Sequence, residues 1–254
     1  MKPLVKWAGG KTWFVPLFNQ LVQNTKYLAF VELFAGGAAL AFAREEKNVV
    51  LNDVCIPLTA TYRALQRREE IPQGDCVGPD HYKVIRERFN INKGKPYHPT
   101  LAEDFLFLNR FGFNGLYREN KGGEFNVPWN TKTHVEPKNL EPYMGLMSGW
   151  TITSRSYKYF KLCPLDLVFA DPPYDDGFST YSRLGFSWSD QFKLATLLSR
   201  YSGPVVATNA ATERVVAMYK GLGFETKVVE APRRIASNGD RAPALEMVAY
   251  KNLG

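Results

Sequence analysis

Cysteine and histidine are both scarce in this chain, whose 254 residues contain three of each. The cysteines form no Cys-x-x-Cys pair and their odd number leaves one over, so neither a zinc site nor a disulfide framework is indicated. His81, His98 and His134 are 17 and 36 residues apart, which is not the spacing of metal ligands. We therefore expect a reduced, intracellular protein that needs no metal.

Long apolar runs are absent as well. The longest apolar stretch, from Phe30 to Ala43, is interrupted by Glu32 and is too short to span a bilayer. The first 20 residues lack the apolar core and the cleavage site of a signal peptide. Hydrophobic residues make up 45% of the chain and charged residues 22%, which is ordinary globular usage. We expect a soluble, cytoplasmic protein with no membrane partner and no obligate protein partner.

Two common catalytic signatures are missing. The chain has neither a full Gly-x-Gly-x-x-Gly turn nor a Gly-x-x-x-x-Gly-Lys-Ser/Thr loop, so a phosphate cradle is disfavoured. Its serine and cysteine residues show no nucleophile elbow or partner pattern. Phosphate transfer and covalent nucleophilic catalysis are therefore not indicated.

Acidic residues are missing from the first 26 positions. This stretch contains Lys2, Lys6, Lys11 and Lys26, which supply four of the seven net positive charges (32 Lys+Arg minus 25 Asp+Glu). Clustered lysines are typical of nucleic-acid-binding proteins. A solvated basic surface explains the same charge equally well, so charge alone leaves both interpretations open.

Alternating strands and helices occupy both ends of the chain. Mostly apolar runs predict strands of a parallel sheet that is buried on both faces, at 28–34, 49–51, 165–170 and 205–207. Helices are predicted at 38–46, 57–68, 188–198 and 212–220. A closing hairpin is predicted to pair 224–229 with 245–250. This alternation predicts an α/β fold.

The middle of the chain, residues 72–146, has a different character. It opens on turns rich in proline and glycine and contains helical patterns at 81–90 and 101–110. Residues 120–123, Asn-Lys-Gly-Gly, are typical of a hairpin turn. We therefore predict a mainly helical insertion that carries a β-hairpin, 72–146, within a main domain formed by 1–71 and 147–254.

The strongest motif follows one of the predicted buried strands. Asp171-Pro172-Pro173-Tyr174 stands where open α/β sheets bind their ligands, at the carboxyl end of the strand 165–170. The prolines fix φ and remove two N–H donors, which leaves rigid carbonyl acceptors. An aspartate oxygen and a proline carbonyl can grip both protons of an exocyclic amine while the tyrosine stacks on the base. Such positioning prepares the nitrogen to attack a methyl group; a rigid turn with a capping aspartate is the alternative.

Two weaker motifs suggest a ligand that carries adenosine but no pyrophosphate. Phe34-Ala35-Gly36-Gly37 is a strand–turn–helix junction, and Asp53 ends the next strand, where a carboxylate can hold ribose hydroxyls. Lys6-Trp7-Ala8-Gly9-Gly10-Lys11 combines an aromatic ring with two lysines, suited to stacking an adenine and holding a carboxylate. Each motif alone is also consistent with an ordinary turn.

Six motifs together resemble the Dam-like, alpha-class DNA adenine-N6 methyltransferases. They occur in that family's order across roughly residues 4–250: Lys6–Lys11, Phe34–Gly37, Leu51–Asp53, Asn114–Arg118, Gly123–Pro128 and Asp171–Tyr174. Arg233–Asn238 also looks like the family's C-terminal loop. The resemblance implies a Rossmann-like, S-adenosylmethionine-dependent methyltransferase sheet in which 72–146 is a DNA target-recognition domain. It also implies an enzyme of the bacterial nucleoid, or a phage enzyme acting in its host.

The resemblance further implies a cofactor and a target base. S-adenosylmethionine, without a metal, is expected to contact Trp7, Lys11, Phe34, Gly36, Asp53 and Asp171. Asp171, the Pro172 carbonyl and Tyr174 are expected to hold an adenine that is flipped out of the duplex. The expected reaction is methylation of adenine N6 in double-stranded DNA, at GATC.

The DNA contacts are implied in the same way. Arg118 corresponds to a guanine-reading arginine, a role that bidentate major-groove pairing explains. Leu116 and Pro128 correspond to residues that sense a thymine methyl, and Phe113 to an aromatic wedge. The remaining expected contacts are Lys6 with the first base of the site, Asn114 with DNA, and Arg110 and Asn120 with phosphates.

Two positions depart from the family pattern, and two other functions stay open. Ala38 replaces a glycine of the turn motif, and Trp129-Asn130 follows Pro128 where relatives often have an aromatic residue and glycine. One alternative is a methyltransferase that acts on RNA or on a protein glutamine amide, against which Asp171 and the insertion argue. The other is a DNA-binding module without catalysis, against which the intact cofactor motifs argue.

Overall fold

The computed structural model describes residues 1–175, 186–232 and 244–254, so the loop 233–238 lies outside the described residues. In chain order the helices are α1 (Val15–Val22), α2 (Ala39–Arg44), α3 (Ile56–Gln66), α4 (Pro79–Asn92), α5 (Leu101–Phe111), α6 (Glu141–Met147), α7 (Trp188–Arg200) and α8 (Glu213–Gly221). The strands are β1 (Phe30–Glu32), β2 (Val49–Asn52), β3 (Thr151–Thr153), β4 (Leu167–Ala170), β5 (Val205–Ala210), β6 (Glu225–Ala231) and β7 (Ala244–Lys251). Within these described ranges, no helix is both long and apolar enough to cross a membrane.

Contacts along the chain define two compact units. The first unit comprises Met1–Gly10, Gly36–Lys47 and Asp53–Ser154, and the second unit comprises Lys11–Ala35, Asn48–Asn52 and Arg155–Gly254. The predicted insertion, 72–146, lies entirely within the first unit. Its boundaries as a functional domain stay a prediction, because compactness alone does not define a DNA-binding domain.

A mixed sheet forms the second unit. Six of the seven strands found in the described part of the chain belong to it, in the order β2-β1-β4-β5-β7-β6. β1 pairs in parallel with β2 and β4, and β4 pairs in parallel with β5. β7 is antiparallel to β5 and β6, as predicted for the closing hairpin. The predicted α/β, Rossmann-like fold class is confirmed.

Side chains of the parallel strands alternate between two apolar faces of this sheet. On one face, the Phe18 ring of α1 packs at 5.6 Å from the rings of both Phe30 and Phe169. On the other face, Val31 and Val168 join a core that includes buried residues of α7 and α8. Burial on both faces explains why these strands consist of nearly continuous apolar residues.

The first unit contains the two helices predicted for the insertion, now α4 and α5. Arg88 of α4 donates from Nε to both carboxylate oxygens of the fully buried Asp104 of α5, at 3.0 and 3.1 Å. The predicted hairpin around 120–123 is present as a turn closed by a single antiparallel bridge between Glu119 and Phe125. Long paired strands do not form on either side of this turn in the described structure.

Candidate functional site

Asp171 is the first residue after β4, and its carboxylate is held from two sides. β4 and β5 are parallel neighbours with Ala170 opposite Ala207, so the next residues along both strands, Asp171 and Thr208, are close. Thr208 Oγ1 donates to Asp171 Oδ1 at 2.6 Å, and Lys11 Nζ lies 2.9 Å from Asp171 Oδ2. A carboxylate offers about four lone-pair positions. These contacts therefore fix its orientation and leave it able to accept from a substrate amine.

Lys11 belongs to a buried cluster with two acids and Tyr174. Lys11 is 3% exposed, and its Nζ lies 3.8 Å from Glu246 Oε2 and 4.9 Å from the centre of the Tyr174 ring. The Tyr174 hydroxyl donates to Glu246 Oε2 at 2.6 Å. Burial raises the pKa of Tyr174 well above its ordinary value, and the carboxylates of Asp171 and Glu246 raise it further. The hydroxyl therefore stays protonated and acts as a donor.

Glu246 is a candidate functional residue that the sequence motifs did not indicate. It lies in β7 and is 9% exposed. Burial raises the pKa of Glu246, while the Lys11 ammonium and the Tyr174 hydroxyl lower it. An acid inside the apolar strand 244–249 is the signal that could have found it, because a buried carboxylate needs partners.

The two proline carbonyls of the turn have different surroundings. Gln191 Nε2 donates to the Pro173 carbonyl at 2.7 Å. No residue in the described ranges donates to the carbonyl of the buried Pro172. The role of the Pro172 carbonyl as the second acceptor beside Asp171 stays a prediction.

Phe34, which was expected to contact the cofactor, lies in an aromatic cluster of the second unit. Its ring centre is 5.7 Å from that of Tyr157 and 5.8 Å from that of Phe186. The residue is half-buried, so part of its ring can still contact a ligand.

In the first unit, the glycine turn and Asp53 are joined by hydrogen bonds. The backbone amides of Gly36 and Cys55 donate to the two oxygens of Asp53, each at 2.9 Å. Burial raises the pKa of Asp53, and these amide hydrogen bonds lower it. The Tyr62 hydroxyl donates to the Gly36 carbonyl at 2.8 Å. The turn thus places an oriented carboxylate directly after β2, as the motif predicted.

Trp7 packs directly on this turn. A side chain added at Gly36 would place Cβ 2.6 and 2.7 Å from Cδ1 and Nε1 of the Trp7 indole, and Gly36 has a φ of +47°. The indole also stacks on Tyr117, with ring centres 5.8 Å apart and planes 19° from parallel. Two residues further along, Ala38 has a φ of +49°, a conformation that favours the glycine usual in the family. Gly36 is thus required by both its conformation and the close approach of Trp7.

Replacing Gly36 with alanine is expected to lower the free energy of unfolding by about 2 kcal/mol or more, because the positive φ and the Trp7 contact both oppose a methyl group. Urea unfolding followed by circular dichroism would measure this change. Gly74→Ala is the matched control, since an added Cβ there has nothing within 4 Å. Equal stability of the two variants would contradict the packing of Trp7 on this turn.

The residues expected to contact DNA all lie in the first unit, and most of them are exposed. Phe113 N donates to the Pro128 carbonyl at 2.8 Å. The Asn109 amide bonds the backbone N and O of Lys6 and the carbonyl of Gly115, each at 2.9 Å. These contacts bring together residues from three separate motifs. Leu116 is half-buried, and the exposed members are Lys6, Phe113, Asn114, Arg118, Asn120 and Pro128.

The two arginines assigned to DNA differ in their surroundings. Arg118 is exposed, and its Nε donates to Asn126 Oδ1 at 2.8 Å. Arg110 is 8% exposed and donates to the backbone carbonyls of Gly74 and Val135. Arg110 therefore has a structural role here, and its contact with a phosphate stays a prediction that requires these bonds to be released.

Two asparagines in the same unit shape its loops. Asn114 has a φ of +54°, which asparagine tolerates better than most residues. Asn120 Oδ1 accepts from the backbone amides of Gly122 and Glu124, each at 2.9 Å. Both side chains are exposed, and their contacts with DNA stay predictions.

A mixed α/β sheet that presents paired acceptors and an aromatic ring directly after a central strand is the arrangement expected of a methyltransferase of amino groups. Comparison with protein families identifies which one. The model of the D12 class N6 adenine-specific DNA methyltransferases matches residues 7–235. The chain belongs to this family, which confirms the resemblance and the predicted enzyme class.

Three curated relatives match over most of their length. The type II methyltransferase M.CviBI of Paramecium bursaria Chlorella virus NC1A is 31% identical, over 87% of each chain. The retron Ec67 DNA adenine methylase of Escherichia coli is 30% identical, over 98% of this chain and 91% of the relative. The DNA adenine methylase of Haemophilus influenzae is 28% identical, over 98% and 93%.

Proposed function

We propose that the protein transfers a methyl group from S-adenosylmethionine to N6 of adenine in GATC sites of double-stranded DNA. The observation that carries this proposal is the geometry of Asp171, whose carboxylate is fixed by Thr208 and Lys11 and keeps acceptor capacity. The target adenine is flipped out of the duplex, because a stacked base cannot reach a turn at the end of a strand.

The Asp171–Tyr174 turn supplies two hydrogen-bond acceptors and an aromatic ring, which an adenine amine needs in order to react. The lone pair of that amine is delocalised into the ring, which makes the nitrogen a poor nucleophile. Hydrogen bonds from its two protons to Asp171 and the Pro172 carbonyl favour a tetrahedral nitrogen, while Tyr174 stacks on the base. With S-adenosylmethionine bound, the nitrogen would form its bond to the methyl carbon as the bond from that carbon to the sulfonium sulfur breaks. The bonding pair would stay on sulfur, and the released amine proton would pass to water. Positioning and electrostatics therefore account for the catalysis.

The residues of the turn motifs fit S-adenosylmethionine, which supplies an electrophilic methyl group on a sulfonium. Asp53 is oriented by two backbone amides and can accept further hydrogen bonds from ribose hydroxyls. We propose that Gly36, whose amide donates to Asp53, and the Trp7 indole that packs on it keep their assigned contacts with the cofactor. We propose that Lys11, Phe34 and Asp171 also keep their assigned contacts.

The exposure of most of the side chains assigned to DNA supports their proposed contacts with it. The Arg118 guanidinium donates from Nε and Nη2 to Asn126. It is solvent-exposed, so a guanine can reach it for bidentate pairing. Phe113 is 50% exposed, which is unusual for a phenylalanine and suits a wedge. The exposed lysines of residues 1–26, which are Lys2, Lys6 and Lys26, suit contact with phosphates. We expect the protein to act without an obligate partner in the cytoplasm, on the DNA of a bacterium or of a phage-infected host.

Transfer of a radiolabelled methyl group to three duplexes tests the proposal. The first duplex contains one GATC site, the second has that site scrambled, and the third carries N6-methyladenine throughout. We expect label in the first duplex alone, because only it offers both the recognised sequence and an unmodified amine.

Other outcomes separate the parts of the proposal. Label in both unmodified duplexes would overturn the GATC assignment and leave adenine methylation standing. Absence of label in every duplex would overturn the DNA substrate, and the same assay would then be repeated with RNA and with a glutamine-containing peptide. Cofactor binding without transfer to any of these substrates would favour a DNA-binding module that lacks catalysis.

A further inference from the structure

A series of three hydrogen bonds connects the backbone on the two sides of Tyr174, in the Asp171–Tyr174 turn, through two side chains. Gln191 Nε2 donates to the Pro173 carbonyl at 2.7 Å. Asn209 Nδ2 donates to Gln191 Oε1 at 2.9 Å. Asn209 Oδ1 in turn accepts from the backbone amide of Asp175 at 3.2 Å. This series of hydrogen bonds therefore starts at the backbone before Tyr174 and returns to the backbone after it.

Both amide side chains are buried and fixed in orientation. Gln191 is 2% exposed and Asn209 is fully buried. Asn209 Oδ1 also accepts from the backbone amide of Ala210 at 2.9 Å, so the Asn209 oxygen faces two donors and its NH₂ group faces Gln191. Rotating either amide by half a turn would set two donors or two acceptors against each other. A buried polar group left without a partner is destabilising, so only one arrangement is stable.

Rigid elements carry the two amides. Gln191 lies in the first turn of α7, where Ser187 and Asp190 form a capping box. The backbone N–H of Gln191 donates to the Ser187 carbonyl at 2.9 Å. Asn209 follows Thr208 in β5, so consecutive residues of one strand hold the two ends of the turn, Thr208 at Asp171 and Asn209 at Asp175.

We propose that Gln191 and Asn209 are positioning residues for methyl transfer. They hold the backbone on both sides of Tyr174, so that the stacking ring and the Pro172 carbonyl keep the angle at which the target amine is gripped. They contact neither the base nor the cofactor. The proposal rests on the proposed function, because it concerns the geometry of the same turn.

Removal of this support is expected to slow the chemical step without weakening binding. In Gln191→Met, an apolar side chain of similar length removes both hydrogen bonds and fills the same space. Because small misplacements of reacting groups are costly, we expect kcat to fall by about ten- to a hundredfold. The KM values for S-adenosylmethionine and for a GATC duplex should stay within about twofold, since no group that contacts either one is lost.

Two further variants separate positioning from folding. Leu198→Ala removes a fully buried side chain from the same helix α7, in the core of the second unit, and should lower the melting temperature at least as much while kcat is retained. Asn209→Asp keeps the oxygen that faces Asp175 but sets an acceptor against Gln191 Oε1 in place of the donor, and should lower kcat at least as much as Gln191→Met. This second variant also tests the proposal if Gln191→Met fails to fold.

The outcomes are distinguishable. Wild-type kcat in Gln191→Met and Asn209→Asp, or an equal fall of kcat in Leu198→Ala, would overturn the positioning proposal while the wild-type enzyme remains active on DNA. If the wild-type protein itself transfers no methyl group to DNA, the proposed function fails and the positioning proposal fails with it. A fall in kcat in the two amide variants alone supports both.

Discussion

Asp171→Ala is expected to reduce the rate of methyl transfer by at least about 10²–10³-fold, the loss typical of removing one preorganised group that stabilises developing charge. The variant loses the acceptor for one amine proton, and the Pro172 carbonyl alone cannot hold the nitrogen in a tetrahedral geometry. A single-turnover assay with saturating cofactor and a GATC duplex would measure the rate of the chemical step.

Binding measurements provide the control for this variant. Arg118, Phe113 and the other exposed residues assigned to DNA lie in the first unit, so DNA affinity should stay largely intact. Lys11 keeps Glu246 as a partner at 3.8 Å, so the lysine is not left as an unpaired buried charge. A near-wild-type rate in Asp171→Ala would contradict the role of the turn in gripping the amine.

The position of the Asp171–Tyr174 turn is predictable from local sequence. An apolar run that is followed directly by Asp171 predicts that this carboxylate lies at the carboxyl end of a buried parallel strand. The sequence from 165 to 174 is sufficient for this prediction. The capping box of Ser187 and Asp190 is equally local, because the two residues stand three positions apart at the start of the predicted helix 188–198. Motifs that act within one turn or at the end of one strand can therefore be predicted from the sequence.

The side chains that form hydrogen bonds with the Asp171–Tyr174 turn are distant from it in sequence. The hydrogen bond between Tyr174 and Glu246 joins residues 72 positions apart, and that between Pro173 and Gln191 joins residues 18 apart. Which acid or amide reaches the turn depends on strand order and helix placement, which a motif does not specify. The sequence therefore predicts the Asp171–Tyr174 turn but not the residues that hold it in place.

Burial is a second property that residue type did not reveal. Arg110 and Arg118 occur in one stretch rich in glycine and aromatic residues, yet only Arg118 is exposed. All but one of the residues of α5 are buried, so this helix has no solvent face on which Arg110 could lie. The polar residues of α5 are buried together with the apolar ones, so residue type in this helix does not predict exposure.

Two short helices escaped prediction for related reasons. α1 and α6 both begin with a proline near the N-terminus and have no side-chain cap. Without a capping residue the usual start signal is missing. α1 is nevertheless stabilised by tertiary packing of Phe18 against the sheet, a contribution that exceeds intrinsic propensity in short helices.

Lys11→Met is expected to lower the free energy of unfolding by about 3–5 kcal/mol near neutral pH, because it removes the cation from a buried pair and leaves the anions uncompensated. The side chain of Lys11 is 3% exposed and that of Asp171, 2.9 Å away, is 18% exposed, so water replaces the lost interaction poorly. Urea unfolding at several pH values would measure the effect. Lys193→Met, at an exposed position of α7, is the control and should leave stability unchanged.

The pH dependence of this loss identifies its cause. Burial already raises the pKa of Glu246, and the Lys11 ammonium partly offsets that rise, so the methionine variant should have a still higher Glu246 pKa in the folded state. The unfolded chain then releases the proton of Glu246 at lower pH than the folded chain does, and folding is weakened as pH rises through the folded-state pKa. The difference in stability between wild type and Lys11→Met should therefore be small at about pH 5 and widen towards about pH 8. A difference that stays constant over this range would mean that Lys11 stabilises the second unit by packing rather than by its charge.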